Sequence, residues 1–256
     1  MVNHHPETWF GGAERVVFVH AHPDDETIAT GGTIAALRGA GKPAGLVTLT
    51  RGERGEVTPG PFASLQGTPQ LAPHREQELQ AAMLMLGVEG HAFLGEPPAR
   101  QAGLEPRVYE DSGMEWGDDG MAVSAAETGA EALTKAPAAE LINDLLYGVL
   151  TLECDAIVSY NDEGGYGHPD HVLAHRAARA VAAAIDVPFW EISSDEAAEA
   201  YDVTESLDRK IGALRMHGTQ LTVIDDETIE HVGGQREPIA SVERFMLRAA
   251  PILGDA

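Results

Sequence analysis

One cysteine in 256 residues leaves no internal disulfide to staple the fold and no Cys-rich zinc site. Any metal must therefore be held by His and carboxylates. Basic residues are also scarce: 17 Lys and Arg face 41 Asp and Glu, a formal net charge of -24. A surface of that sign cannot displace the counterions of a nucleic acid or an anionic membrane, so both partners are excluded. No apolar run approaches the ~20 residues needed to cross a bilayer. Met1 to Gly12 is polar and lacks the basic-then-apolar layout of a signal peptide. A soluble, cytoplasmic protein is expected. Missing too are a GxxxxGK(S/T) phosphate loop, a GxGxxG opening a helix, a GxSxG nucleophile elbow and an HExxH helix.

What is present reads as a folded α/β chain. Hydrophobic residues make up 43 % and charged residues 23 %, so the acidity belongs to a surface and not to a disordered tail. Val16-Val17-Phe18-Val19, within Arg15 to His20, has the β-branched and aromatic character of a strand buried on both faces. A helix is expected over Thr27 to Ala40 and a second strand over Ala44 to Thr50, a β-loop-α-β succession that implies parallel pairing. Further helices are predicted at about His74 to Leu86, Pro137 to Leu152, Asp170 to Ala184 and Glu205 to His217. Further strands are predicted near His91 to Leu94, Ala156 to Tyr160 and Val187 to Ile192. Gly95 to Ser124 reads as a long irregular segment, and the chain beyond Gln220 as short strands and turns. With no repeat and no linker, a single α/β domain spanning 1–256 is the economical reading, its core at about 15–220 and a C-terminal extension at 221–256.

In an open parallel sheet, ligands bind beyond the carboxyl ends of the strands. Two polar clusters fall there. The first is His20-Ala21-His22-Pro23-Asp24-Asp25-Glu26, in which three consecutive carboxylates repel unless a cation or a helix N-terminus offsets them. Helix capping by Asp24 or Asp25 would account for it equally well. The second is Tyr166-Gly167-His168-Pro169-Asp170-His171. A glycine turn and a Pro-initiated helix explain Pro169 and Asp170, but not two imidazoles three apart. Together the clusters point to a metal: His22 and Asp25 can converge from one loop while His171 arrives from the other. Two His and one carboxylate form a known catalytic zinc arrangement, and the same set suits ferrous iron, so Zn2+ is expected with Fe2+ open. Asp24 and His168 then remain as the carboxylate and imidazole needed for general acid-base hydrolysis.

These two motifs resemble the LmbE/PIG-L-like family of zinc-dependent N-deacetylases. Among its branches the sequence is most similar to the mycothiol pair, the N-acetylglucosaminyl-inositol deacetylase and the mycothiol S-conjugate amidase. Supporting stretches are Gly52 to Val57, the helix carrying Arg75, Asp111-Ser112-Gly113-Met114 and Leu214 to Gln220, so the likeness spans about residues 15 to 220. Within Gly95 to Gly120 it is not a clean match beyond Met114.

The resemblance implies a Rossmann-like three-layer sandwich with a mostly parallel central sheet, and an amide-hydrolysing zinc site. It implies His22, Asp25 and His171 as metal ligands and Asp24 as general base. It implies His168 as the group that protonates the leaving amine or steadies the oxyanion, with Asp170 setting its charge. Tyr166 would be a mobile tyrosine over the site, and Arg75 and Asp111 substrate-binding positions. The expected substrate is a small N-acetylated amino sugar. Rival readings are the conjugate amidase and a catalytically silent sugar-binding protein; a homo-oligomer is left open.

Other residues have plainer expectations. His20 and His175 read as structural histidines, Cys154 as a small core hydrophobe, and Met83, Met85 and Leu86 as core. Glu53, Arg54 and Glu56 fit a solvated loop.

Overall fold

The computed structural model describes residues 1–118 and 120–249. Residues 250–256, the end of the expected C-terminal extension, lie outside the described residues. Eight strands form the central sheet: β1 (Val2–Asn3), β2 (Val16–His20), β3 (Ala44–Thr48), β4 (Gly90–Phe93), β7 (Ala156–Ser159), β8 (Phe189–Ile192), β9 (Glu199–Asp202) and β13 (Val242–Ala249), in the order β1-β9-β13-β8-β7-β2-β3-β4. All neighbours pair in parallel except β13, which runs antiparallel to both β8 and β9. A hairpin of β5 (Met114–Trp116) and β6 (Ala122–Ser124) stands apart. So does a small antiparallel sheet of β10 (Leu221–Asp225), β11 (Thr228–His231) and β12 (Arg236–Pro238).

The sheet is sandwiched because its strands alternate their side chains. In β2, Val16 and Phe18 enter one core with Ile34, Leu37, Leu79 and Leu86, while Val17 and Val19 enter the other with Leu141, Leu145, Ala174 and Val181. The first layer holds α1 (Asp25–Gly39), α2 (Leu71–Leu86) and α6 (Leu207–Leu214). The second holds α3 (Ala138–Leu152) and α5 (Pro169–Ile185), the latter preceded by a single turn, α4 (Gly164–Gly167). This is the expected three-layer α/β architecture.

Several boundaries move for local reasons. Helix α2 begins three residues before His74, because Pro73 sits in its first turn, where a missing N–H costs nothing. Met85 is 40 % exposed: Leu79, Ala82 and Leu86 define the inner face of α2, and Met85 points off it. The largest difference is at the end of the chain, where β13 is an eight-residue strand inside the central sheet.

The irregular segment after β4 is anchored through one buried carboxylate. Asp144 of α3 accepts from Arg100 Nη1 and Tyr109 Oη, each at 2.7 Å, and from the Gln101 N–H at 2.8 Å. That anchorage delivers Asp111 and Ser112 to the end of the sheet.

Candidate metal centre and active site

Strands β2 and β7 are neighbours, yet the chain leaves β2 toward β3 and β4 on one side and resumes at β7 on the other. The crevice beyond their carboxyl ends is therefore a topological switch point. Both following helices, α1 and α5, start there and aim their N-terminal, partially positive ends at it.

Three donor atoms converge in the crevice. His22 Nδ1 lies 3.1 Å from Asp25 Oδ2, and His171 Nε2 lies 3.3 Å from each of them. Ligands bonded at ~2.0–2.1 Å to a tetrahedral zinc stand about 3.3–3.4 Å apart, so this triangle has the spacing such an ion requires. The far side of each imidazole is also engaged. His22 Nε2 is 3.2 Å from Asp170 Oδ2, and His171 Nδ1 is 3.2 Å from the Gly164 carbonyl. Those contacts put the ring protons on the outer nitrogens and leave the inner ones free to ligate. Asp170 Oδ1 is buried with no hydrogen-bond partner among the described residues. A wider group, His22, Asp111, His168 and Asp170, also brings donor atoms within 4.8 Å of one another.

The electrostatics fit a site built for positive charge. Burial opposes charging His22, but Asp111 and then the hydrogen bonds to Asp170 and Asp25 lift its pKa well above 6.5. Burial likewise opposes ionising Asp25, yet His171 and His22 hold its carboxyl well below 3.8.

Asp24 sits beside the triangle in a strained conformation. Its φ of 106° lies in a region non-glycine residues rarely adopt, at a cost of ~1–3 kcal/mol that the surroundings must over-determine. Two neighbours do so. The Asp24 N–H donates to Glu26 Oε2 at 3.0 Å, and the Arg75 guanidinium lies 3.5 Å from Asp24 Oδ2 while donating to the Pro23 and Gly52 carbonyls. Gly52, at φ +65°, admits that guanidinium because any Cβ there would overlap it. Burial pushes the Asp24 carboxyl up to about 6; Arg75 opposes the rise and Asp25 adds to it.

The other expected site residues are placed as follows. His168 caps α5, its Nδ1 accepting the Asp170 N–H at 3.1 Å, and its ring lies 4.6 Å from that of His22. The Asp170 carboxylate takes His22 Nε2 at 3.2 Å and the Ser112 N–H at 2.9 Å, and its charge also acts on His168, raising that pKa against burial. Burial, then His22 and His171, lower the His168 pKa to about 3, so its ring is neutral in the absence of a cation. Tyr166 stands at the mouth, 42 % exposed, with its ring 5.2 Å from that of His171. Asp111 is buried, its Oδ1 3.7 Å from His22 Nε2 and accepting the Gly113 N–H at 2.8 Å. Arg75, only 3 % exposed, donates to the Gly52 and Pro23 carbonyls and lies 3.5 Å from Asp24 Oδ2.

Two contributors have roles that the sequence reading did not assign. Tyr160, the residue after β7, donates from Oη to Asp25 Oδ2 at 2.7 Å and stacks on His171 with ring centroids 4.1 Å apart. Its place between a strand and a Gly-rich loop was the available signal. The second is the buried pair His217–Glu26, with Nε2 and Oε1 3.0 Å apart and Thr27 Oγ1 donating to the same carboxylate. This pair fixes the carboxylate whose other oxygen, Oε2, accepts the Asp24 N–H. Among the plainer expectations, His20 is a satisfied core histidine, paired with Thr30 and Tyr160. Glu53 accepts the Asp111 N–H at 3.0 Å and so belongs to the rim of the site.

The family model for GlcNAc-PI de-N-acetylase, PIG-L, matches residues 17–182. A 1D-myo-inositol 2-acetamido-2-deoxy-alpha-D-glucopyranoside deacetylase of Actinosynnema mirum is 32 % identical over 281 residues, covering 94 % of each chain. The protein of the same name from Kribbella flavida is 34 % identical over 262 residues, covering 82 % of this chain and 84 % of its own. Among solved structures, N,N'-diacetylchitobiose deacetylase from Pyrococcus horikoshii is similar in fold, with a TM-score of 0.60 at 21 % identity over 83 % of this chain and 73 % of that one. The zinc-inhibited form of a teicoplanin deacetylase is similar too, with a TM-score of 0.58 at 17 % identity over 80 % of this chain and 84 % of that one. Among the described residues no helix is long and apolar enough to cross a membrane. Matched by the family model over most of its length and by relatives at 32–34 % identity, this chain belongs to the PIG-L family, whose model describes GlcNAc-PI de-N-acetylases.

Proposed function

We propose that this protein is a Zn2+-dependent hydrolase that removes the acetyl group from an N-acetylglucosaminyl compound of the N-acetylglucosaminyl-inositol kind. The observation that carries the reading is the triangle of His22, Asp25 and His171 donors at tetrahedral spacing, with Asp24 braced beside it. His22, Asp25 and His171 would hold the ion. When bound, it supplies Lewis-acid polarisation of the amide carbonyl and lowers the pKa of water.

The chain's own groups do the rest. Asp24, whose carboxyl sits near 6, takes a proton from the attacking water as oxygen adds to the acetyl carbon. His168 is committed at Nδ1 to the Asp170 N–H, so its ring proton lies on Nε2, where it donates a hydrogen bond to the developing oxyanion. Tyr166, at the mouth, is within reach to add a second donor. The C–N bond then breaks, and the proton Asp24 collected passes to the departing nitrogen, leaving acetate and a free amine. Arg75 keeps Asp24 aimed, and Asp111 with Asp170 orients His22.

The test is acetate release from N-acetylglucosaminyl-inositol. Release should stop with a chelator and return with Zn2+; release indifferent to the chelator refutes the reading. In Asp24→Asn, turnover should fall by about 10²–10⁴-fold while zinc content stays near that of the unaltered protein.

A further inference from the structure

Two aromatic rings continue the site outward, and the hydrolytic steps make no use of one of them. Trp116, on β5, is 57 % exposed and faces Tyr166, with ring centroids 5.8 Å apart and planes inclined by 35°. Tyr166 in turn lies against His171 and His168, at 5.2 and 6.2 Å. The pair is thus an open, inclined platform that begins at the proposed ligand sphere and leads away from it.

The platform is fixed at both ends. Upstream of β5, the Ser112 N–H donates to Asp170 and the Gly113 N–H to Asp111, so the strand springs directly from the site. Across the hairpin, Trp116 pairs with Ala122, whose small side chain leaves the indole unobstructed. The Ala122 carbonyl lies so near Gly167 that a Cβ there would stand 2.8 Å from it. That contact seats the hairpin on the turn carrying Tyr166.

We infer that Trp116 and Tyr166 form a subsite for an uncharged ring attached to the acetylated sugar. This assignment rests on the deacetylase reading above. Aromatic faces carry negative electrostatic potential, and the C–H face of a sugar or cyclitol ring offers apolar area edged with weakly positive hydrogens. A rigid Trp–Tyr pair binds such a face at little cost in side-chain freedom. The carboxylates of Asp25, Asp24 and Asp111, offset in part by Arg75, act on Tyr166, and within a chain of net charge -24 they select against a phosphorylated ring.

The experiment compares kcat/KM for acetate release from N-acetylglucosamine and from N-acetylglucosaminyl-inositol, using zinc-loaded full-length protein. The preference for the two-ring substrate should fall about tenfold in Trp116→Ala, equivalent to about 1.4 kcal/mol, through a raised KM for that substrate. Trp116→Phe should keep most of the preference. An unchanged preference, or equal losses on both substrates, overturns the subsite. A wild-type preference for the phosphorylated inositol compound over the unphosphorylated one overturns the uncharged ring. If the wild-type protein releases acetate from neither substrate, the deacetylase reading fails and the subsite with it.

Discussion

Replacing Tyr160 by Phe removes a single oxygen atom from the wall of the site. That oxygen donates to Asp25 Oδ2 at 2.7 Å and accepts the Ala21 N–H at 2.9 Å. The ring itself, stacked on His171 at 4.1 Å and 9°, would remain. A hydrogen bond to a charged group is worth ~1.5–3 kcal/mol, and the orphaned Ala21 N–H adds a cost of its own. For a domain of this size ~1 kcal/mol shifts Tm by roughly 2–4 °C, so a loss of several degrees is expected. The specific consequence lies elsewhere. A partner that orients a metal-ligating group typically contributes ~10–100-fold to metal affinity. Zinc affinity, measured by competition with a chromogenic chelator, should fall by that factor in Tyr160→Phe. Turnover at saturating zinc should stay within a few-fold of wild type, because Asp24 and His168 are untouched. A Tm loss with unchanged zinc affinity would show that Tyr160 serves only the core, and would refute the claim that it aims Asp25.

Three further outcomes follow from contacts around the site. Gly52→Ala places a methyl group where the Arg75 guanidinium lies, at a positive φ costing ~1–2 kcal/mol for an L-residue. Its kcat should drop at least about tenfold with zinc retained, and a normal kcat would remove Arg75 as the brace of Asp24. Lys210→Met leaves Glu243 buried without its 2.7 Å partner, so the urea midpoint should fall by the equivalent of ~3–5 kcal/mol; a shift below about 1 kcal/mol would contradict this. His217 provides a pH test. Burial lowers its pKa, but Glu26, with help from Asp24 and Glu78, raises it above 6.5 overall. The stabilisation is thus complete below the unfolded value and fades as pH climbs through the folded one. The stability difference between wild type and His217→Gln should shrink as pH rises above the ordinary imidazole value of about 6.5, and a difference that widens would reverse the sign.

Much of this was legible in the sequence because it depends on local rules. The β-branched run at Val16 to Val19 announced a doubly buried strand, and Pro169 with Gly167 announced a helix start. His22, Asp25 and His171 were marked by lying just past buried strands. What could not be read is what depends on distant pairing. Glu26 meets His217 across 191 residues, and Tyr160 meets Asp25 across 135. Asp170 stands two residues from His168 in sequence, yet its carboxylate turns to His22, because the first turn of α5 points it across the crevice. Arg75 was marked as a substrate-binding position only by the family resemblance, and its contacts to the Gly52 and Pro23 carbonyls depend on segments 23 and 52 residues away. Strand β13 was invisible as a partner of β8, since an antiparallel insertion leaves no mark in a succession of parallel units.

That last strand has a consequence for how the chain can fail. Among the described residues, β9 and β1 join the central sheet only through β13, and Glu243 within it accepts the Gly32 and Thr33 N–H groups of α1 at 2.9 and 2.8 Å. Without residues 242–249, β8 and β9 would each become a raw edge, with unpaired backbone groups beside apolar side chains such as Trp190 and Tyr201. Such edges recruit other chains. A truncation far from His22 in sequence would therefore show itself first as aggregation, before any question of catalysis arose.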